Sequence, residues 1–218
     1  MPVYKGYETS MAEESELLRT RGGTRMRIMD IAQDAVLAKG FEATSIEEIV
    51  AAAGITKSGF FYHFPDKTAL ARALLERYLE QEEAIFDDVF GRAAELADDP
   101  LQVLLIALKL LAEVVENLPD GHPGCLVATT AYQDRLFDAE VRALNREGVA
   151  AWSARFRGHF EAVAKAHPPT RPVDLDDLAD MVTGVCEGGI VLQKALDDRT
   201  AMARQILLLR TFVGMLFR

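Results

Sequence analysis

Between Thr24 and Phe217 apolar residues recur at helical spacing almost without interruption, and no stretch of useful length alternates apolar with polar. A half-buried strand needs alternation, whereas a stripe at i, i+3, i+4 and i+7 needs a helix that buries one face. The chain is therefore expected to be all-α, helix packed on helix. The punctuation agrees. "TRMRIMDIAQDAVLAKG" puts Ile28, Ile31, Ala32, Ala35 and Ala38 on one stripe, with Thr24 as N-cap and Gly40 as C-cap. Ser45 and Glu48 make a capping box for a short helix that stops at Gly54. Thr56 opens another short helix, closed before Pro65, and Asp66 caps a much longer one. Further helices are expected after Asp99-Pro100, in "CLVATTAYQD", from about Asp138 to Ala166, from Leu175 to Ala195 and from Thr200 to Phe217.

Composition narrows the class. Half of the 218 residues are apolar and Gly and Pro are modest, as in a globular chain with a substantial core. The apolar segments "LQVLLIALKLLAEVV" and "QILLLRTFVGMLF" are short and carry Lys109, Glu113 and Arg210, so neither is expected to span a bilayer. The start, "MPVYKGYETSMAEESELL", has no apolar signal region. Cys125 and Cys186 lack CxxC neighbours, which argues against a zinc site or disulfide framework and fits a reducing cytoplasm. The net charge of −10 argues against broad nonspecific nucleic-acid binding but leaves a local DNA face open. Residues 1–23 are polar and end in Gly22-Gly23, as a flexible arm would.

The stretch "GITKSGFFYHFPDK" is the most informative. Two short helices joined by a glycine turn make a helix-turn-helix. A major groove about 12 Å wide admits one helix, and a short one clears the backbone at both ends. Ile46, Ile49, Val50 and Ala53 brace the second helix, with Ile55 and Phe60 packed onto them. Its polar first turn then faces outward: Thr56, Lys57 and Ser58 are donors for base edges or phosphates, and Gly59 allows close approach. Tyr62 and His63 lie one turn later, and Lys67 adds a charge at the start of the next helix.

The run "TRMRIMDIAQDAVLAKGFEATSIEEIVAAAGITKSGFFYHFPDKTAL" resembles the N-terminal domain of the TetR family of transcriptional regulators. The likeness lies in "KGFEATSI", "IVAAAGITKSGFFYHF" and "DKTAL". It implies a helix-turn-helix domain at residues 24–70 and a helical ligand-binding and dimerisation domain at 71–218. It also implies a homodimer that binds a palindromic operator in double-stranded DNA, usually as a repressor, and is released by a small-molecule effector. By the resemblance Thr44, Thr56, Lys57, Ser58, Tyr62, His63 and Lys67 fall at DNA-facing positions. An activator, or a regulator controlled by a protein partner, is the alternative. Val50 departs from the smaller residue common there. Residues 24–67 hold five Lys/Arg against six Asp/Glu, so a basic face must come from placement, with Arg19 and Arg21 of the arm as candidate helpers.

In the C-terminal part the last helix is apolar nearly all round, Leu209 and Val213 included, which calls for a second burial surface. A homodimer through the last two helices supplies one, as a four-helix interface. Candidate effector-site residues are Cys125, Tyr132, Gln133, Trp152, Phe156, His159, Cys186 and Glu187. Trp152, Phe156 and His159 share a stripe, and Trp and Phe at that spacing serve a core more often than a pocket. Glu187, in apolar surroundings, needs an arginine or a ligand. "GHPGCLVATTAYQD" and "CEGGIVLQKAL" resemble segments of TetR-type regulators that answer acrylate or reactive electrophiles, and by that likeness Cys125 is either a sensor or an inert buried thiol. A helix N-terminus at Cys125 would lower its pKa. No cofactor is expected and an enzyme is not: His63, His122, His159 and His167 are scattered, and there is no metal cluster, phosphate loop or nucleophile-base spacing.

Overall fold

The structure, a computed structural model, describes residues 23–217. Residues 1–22 of the expected arm, Arg19 and Arg21 among them, lie outside the described residues, and residue 23 is already helical. Nine α-helices and no strand occur among the described residues. They are α1 (23–39), α2 (Ile46–Ala53), α3 (Lys57–His63), α4 (Lys67–Leu96), α5 (Pro100–Glu116), α6 (Leu126–Tyr132), α7 (Ala139–Ala166), α8 (Leu175–Leu196) and α9 (Ala201–Leu216). A single 3-10 turn, Asp134–Leu136, precedes α7. No helix among them is long and apolar enough to cross a membrane. The chain divides into two compact units after Leu74.

Local chemistry explains the boundaries of the first unit. Helix α1 is already running at residue 23, so Thr24 lies inside it and is not its N-cap. Its buried face is Ile28, Met29, Ala32 and Val36, rotated slightly from the expected stripe, while Ala38 is exposed. Gly40 ends it at φ 85°. Ser45 Oγ accepts from the Glu48 N–H, and Thr56 Oγ1 from the Gly59 N–H. Asp66 caps α4 through the Ala69 N–H at 2.7 Å. Gly54, at φ 62°, makes the turn between α2 and α3, a conformation that costs a residue with a Cβ roughly 1–2 kcal/mol. Ile49, Ala53, Phe60 and Phe64 are buried, as are the α1 face and Phe41. Truncating Phe60, fully buried, would cost about 3–5 kcal/mol.

The second unit is a helical bundle in which α9 packs on α5 and α8, and α7 on α5, α6 and α8. Two close approaches depend on glycine. A Cβ on Gly189 of α8 would lie 2.9 Å from Met202 Cα of α9, and one on Gly148 of α7 would lie 2.5 Å from Leu79 Cδ2 of α4. Helix α9 splits its apolar surface. Met202, Ile206, Leu209, Val213 and Leu216 are buried within the chain, while Leu207, Leu208, Phe212 and Met215 are exposed. Leu209 and Val213 therefore belong to the core and not to an intersubunit face, a correction that follows from their positions one helical face away from Leu208 and Phe212.

Candidate nucleic-acid interface and effector site

The α3 helix offers a polar, accessible first turn. Thr56, Lys57 and Ser58 are exposed, Gly59 is half-buried, and Phe60 beneath them is the anchor that fixes their direction. Tyr62 is exposed and stands edge-on to the His63 ring, 5.1 Å between centroids. A tyrosine hydroxyl and an imidazole N–H are both donors of the kind that contact phosphate or sugar and position a helix without reading sequence.

The charged residues are held in pairs. Lys57 reaches back across the turn to Glu47 at 2.7 Å, and Lys39 to Glu48 at 2.5 Å. The lysines hold both carboxyls below the usual glutamate range. Glu48 faces Lys39 and also accepts from the Ser45 backbone N–H, which closes the reciprocal half of the capping box. Arg25 lies over the Phe64 ring at 5.0 Å.

Two expected DNA-facing side chains have other duties. Thr44 is 1% exposed, and its hydroxyl donates to the Gly40 carbonyl at 2.9 Å. That hydroxyl closes the loop after α1 and cannot reach a phosphate. Lys67 is half-buried, donates to the Phe41 carbonyl at 2.5 Å and lies 4.4 Å over the Phe41 ring. Burial lowers its pKa. Its first role is to tie the start of α4 to the α1–α2 loop, which the sequence could not signal because the partner is a backbone carbonyl 26 residues away.

In the second unit five acidic or weakly acidic groups converge from three elements: Tyr78 and Glu82 on α4, Cys125 at the start of α6, and Cys186 and Glu187 on α8. Burial is the main influence on each shifted group. It pushes Glu82 up to about 7, against a partial opposing pull from its Tyr78 hydrogen bond. It raises Tyr78, with further pushes from Cys125, Glu82 and Glu187. It pushes Cys186 up to about 12, helped by Glu82, Glu187 and Cys125. Among the described residues no basic side chain acts on any of these four groups.

Cys125 does cap α6, its sulfur accepting from the Ala128 N–H at 3.3 Å. That bond favours the thiolate, as the sequence suggested. Burial and the neighbouring Glu187 outweigh it, and the thiol is pushed up to about 12 rather than lowered. Cys125, Cys186 and Glu187 are among the candidates the sequence singled out, whereas Tyr78 and Glu82, one turn apart on α4, are not. Glu82 in "YLEQEEAIF" is surrounded by other acids, so the one that turns inward is not distinguishable by type.

The aromatic candidates are packed. Phe86, one turn beyond Glu82, meets Trp152 and Phe156 edge-on, at centroid distances of 6.5 and 5.4 Å. His159 stacks on Phe90 at 3.8 Å. Tyr132 is 81% exposed at the end of α6 and does not join the group, which corrects its place in the expected pocket wall. Gln133 follows it as the half-buried C-cap. No group of three or more metal-ligating side chains occurs among the described residues.

A buried helix-turn-helix brace, an exposed polar α3 turn and an all-helical second unit define a DNA-binding regulator of transcription. The sequence model of bacterial regulatory proteins of the tetR family matches residues 28–74. The chain is 27% identical over 116 residues to the transcriptional repressor KstR2 of Rhodococcus jostii, covering 53% of this chain and 52% of that protein. The match thus spans about half the length of that relative. It is 22% identical over 185 residues to the HTH-type transcriptional regulator YxaF of Bacillus subtilis, covering 85% and 92%. A TetR-family regulator from Agrobacterium tumefaciens has the same fold, with TM-score 0.74 at 18% identity over 91% of this chain and 100% of that one. Residues 28–74 thus match the tetR family, and the chain as a whole is similar in sequence and fold to TetR-family transcriptional regulators. These relatives carry the names of regulators, not of enzymes.

Proposed function

We propose that the protein is a homodimeric repressor that binds a palindromic operator through α3 and releases it when a small molecule enters the second unit. The observation that carries the DNA reading is the exposed Thr56–Ser58 turn seated on buried Phe60. Thr56, Lys57, Ser58, Tyr62 and His63 contact the operator, with Lys57 freed from Glu47 on binding. Repression is the role named for KstR2.

The dimer reading rests on the exposed apolar residues of α8 and α9: Val191, Leu192 and Leu196 with Leu208, Phe212 and Met215. They lie on the two helices that pack together. Stable interfaces bury about 1,600 Å² in total, and two helices per subunit are enough to supply that.

The effector site is the Tyr78, Glu82, Cys125, Cys186 and Glu187 cluster, with Phe86, Trp152 and Phe156 beside it on the α4 side. Acids without a basic partner, next to aromatic faces, suit a small organic cation. A thiol held near 12 disfavours an electrophile as the first signal. Helix α4 carries Tyr78 and Glu82 and continues without a break back to Lys67, so a ligand that shifts it can act on the DNA-binding helices.

The test is fluorescence anisotropy of a labelled operator fragment titrated with organic ammonium compounds and, separately, with soft electrophiles. Release by cations, weakened in Glu82→Gln, supports the reading. Operator binding indifferent to both panels would favour a regulator answering a protein partner.

A further inference from the structure

A second site lies outside this cluster, on the outer side of α6 and α7. A groove of about 520 Å³ is bounded by Thr130 and Ala131 of α6, Asp134 of the 3-10 turn, and Arg142, Asn145, Arg146, Val149 and Ala150 of α7. The size falls within the range of small-molecule sites. Its α7 residues are spaced three and four apart and so share one face of that helix.

Asn145 marks the groove as more than a surface dip. The residue is only 8% exposed. Its Nδ2 donates to the Val127 carbonyl at 3.3 Å, but Oδ1 is buried and accepts no hydrogen bond. Buried polar atoms are nearly always satisfied, and an orphan acceptor on a residue that lines a groove calls for an N–H or O–H from something not in the chain. Exchanging the amide's two ends would bring oxygen against the Val127 carbonyl, so the orientation is fixed by that contact.

The charges beside it are complementary to a second feature. Arg146 is exposed and has no ion-pair or hydrogen-bond partner among the described residues. Arg142 donates one N–H to the Phe137 carbonyl at 2.6 Å and keeps its charge and remaining donors. Two guanidinium groups one turn apart offer a carboxylate more than one N–H pair. Asp134 adds a single negative charge to the lining, and Ala131, Val149 and Ala150 add apolar surface.

We infer that the α6–α7 groove binds a small amino carboxylate: a carboxylate held by Arg146 and Arg142, an N–H given to Asn145 Oδ1, and a compact apolar body over Val149 and Ala150. The nitrogen is either an ammonium, which Asp134 also attracts, or an amide. The site is separate from the proposed effector cluster and does not depend on it.

Isothermal titration of the full chain with L-leucine, N-acetyl-L-leucine and 4-methylpentanoate tests this. The third compound has the carboxylate and the apolar body but no N–H. At least one nitrogen-bearing compound should bind at millimolar concentration or tighter. It should exceed 4-methylpentanoate by about tenfold or more, because the analogue leaves Asn145 Oδ1 unpaired. Tighter L-leucine identifies an ammonium, tighter N-acetyl-L-leucine an amide. Arg146→Glu should weaken binding about tenfold, and Ala150→Trp, which fills the groove from an exposed position, should abolish it. Glu82→Gln should leave it unchanged. No binding by any of the three compounds, equal binding by all three, or binding indifferent to both groove variants overturns the proposal.

Discussion

Glu82 should set a pH dependence on stability that a conservative substitution removes. Burial raises its pKa from 4.5 to about 7 in the folded chain. The folded state therefore keeps a proton that the unfolded chain has already released. Stability from this group is fully present below pH 4.5 and is lost as pH rises through 7. At 1.36 kcal/mol per unit, the full shift amounts to about 3 kcal/mol, nearly all of it expressed by pH 8 and roughly 1 kcal/mol of it by pH 5. Glu82→Gln cannot ionise. Relative to the parent it should therefore gain about 2 kcal/mol more at pH 8 than at pH 5, or roughly 4–8 °C in melting temperature for a chain of this size. The difference between the two pH values cancels any pH-independent change in the hydrogen bond to Tyr78. Thermal denaturation at matched ionic strength reads it directly. An offset between variant and parent that is the same at both pH values would refute the burial argument. A larger gain at pH 5 would reverse its sign.

Other consequences follow from particular contacts. Glu47→Ala should raise operator affinity severalfold at low salt by freeing Lys57, and the gain should shrink as salt rises. Lys57→Ala should flatten the salt dependence by about one phosphate contact per half-site, and unchanged slopes would remove α3 from the interface. Phe212→Asp or Leu208→Asp should give a folded monomer in sedimentation. Leu209→Asp, at a site 2% exposed, should instead lose the fold, and identical behaviour of the two kinds would place the dimer face elsewhere. Cys125 and Cys186, both held near 12, should react with iodoacetamide at pH 7 far more slowly in the native chain than in urea, and equal rates would contradict their burial.

Much of the architecture was legible because it rests on local rules. Ser45, Thr56, Asp66 and Asp99 each cap the helix that follows, through the N–H of its third residue. Gly40 and Gly54 stop helices in the left-handed region, where glycine is at no disadvantage. The failures have a common origin in long-range packing. Thr44 was assigned to DNA by likeness, but its hydroxyl is consumed by Gly40. Lys67 was read as a rim charge, yet its ammonium is docked on Phe41. The apolar circumference of α9 announced two burial surfaces without saying which residues serve which. Only the packing of α9 on α5 and α8 separates Leu209 and Val213 from Leu208 and Phe212. For the proposed effector site, the sequence picked out Cys125, Cys186 and Glu187 as reactive or charged groups within apolar runs. It missed Glu82 because α4 carries Glu80, Glu82 and Glu83 close together, and helical phase alone does not say which one is enclosed.

Charge placement ties the DNA reading to the rest of the chain. A protein with net charge −10 gains little from general attraction to DNA, and residues 24–67 are themselves slightly acidic. Two of their five cations, Lys39 and Lys57, are already paired with Glu48 and Glu47. A third, Lys67, is docked on the Phe41 carbonyl. Phosphates must therefore compete with carboxylates for Lys57, and nonspecific DNA offers no base contacts to offset that competition. The exposed Thr56 and Ser58 hydroxyls beside Lys57 can add such contacts only where the base edges match. On the proposed reading, the ion pair across the α2–α3 turn weakens binding to all sequences alike, while contacts from the same turn restore it at the operator. Specificity then comes from suppressing the nonspecific term as well as from strengthening the specific one.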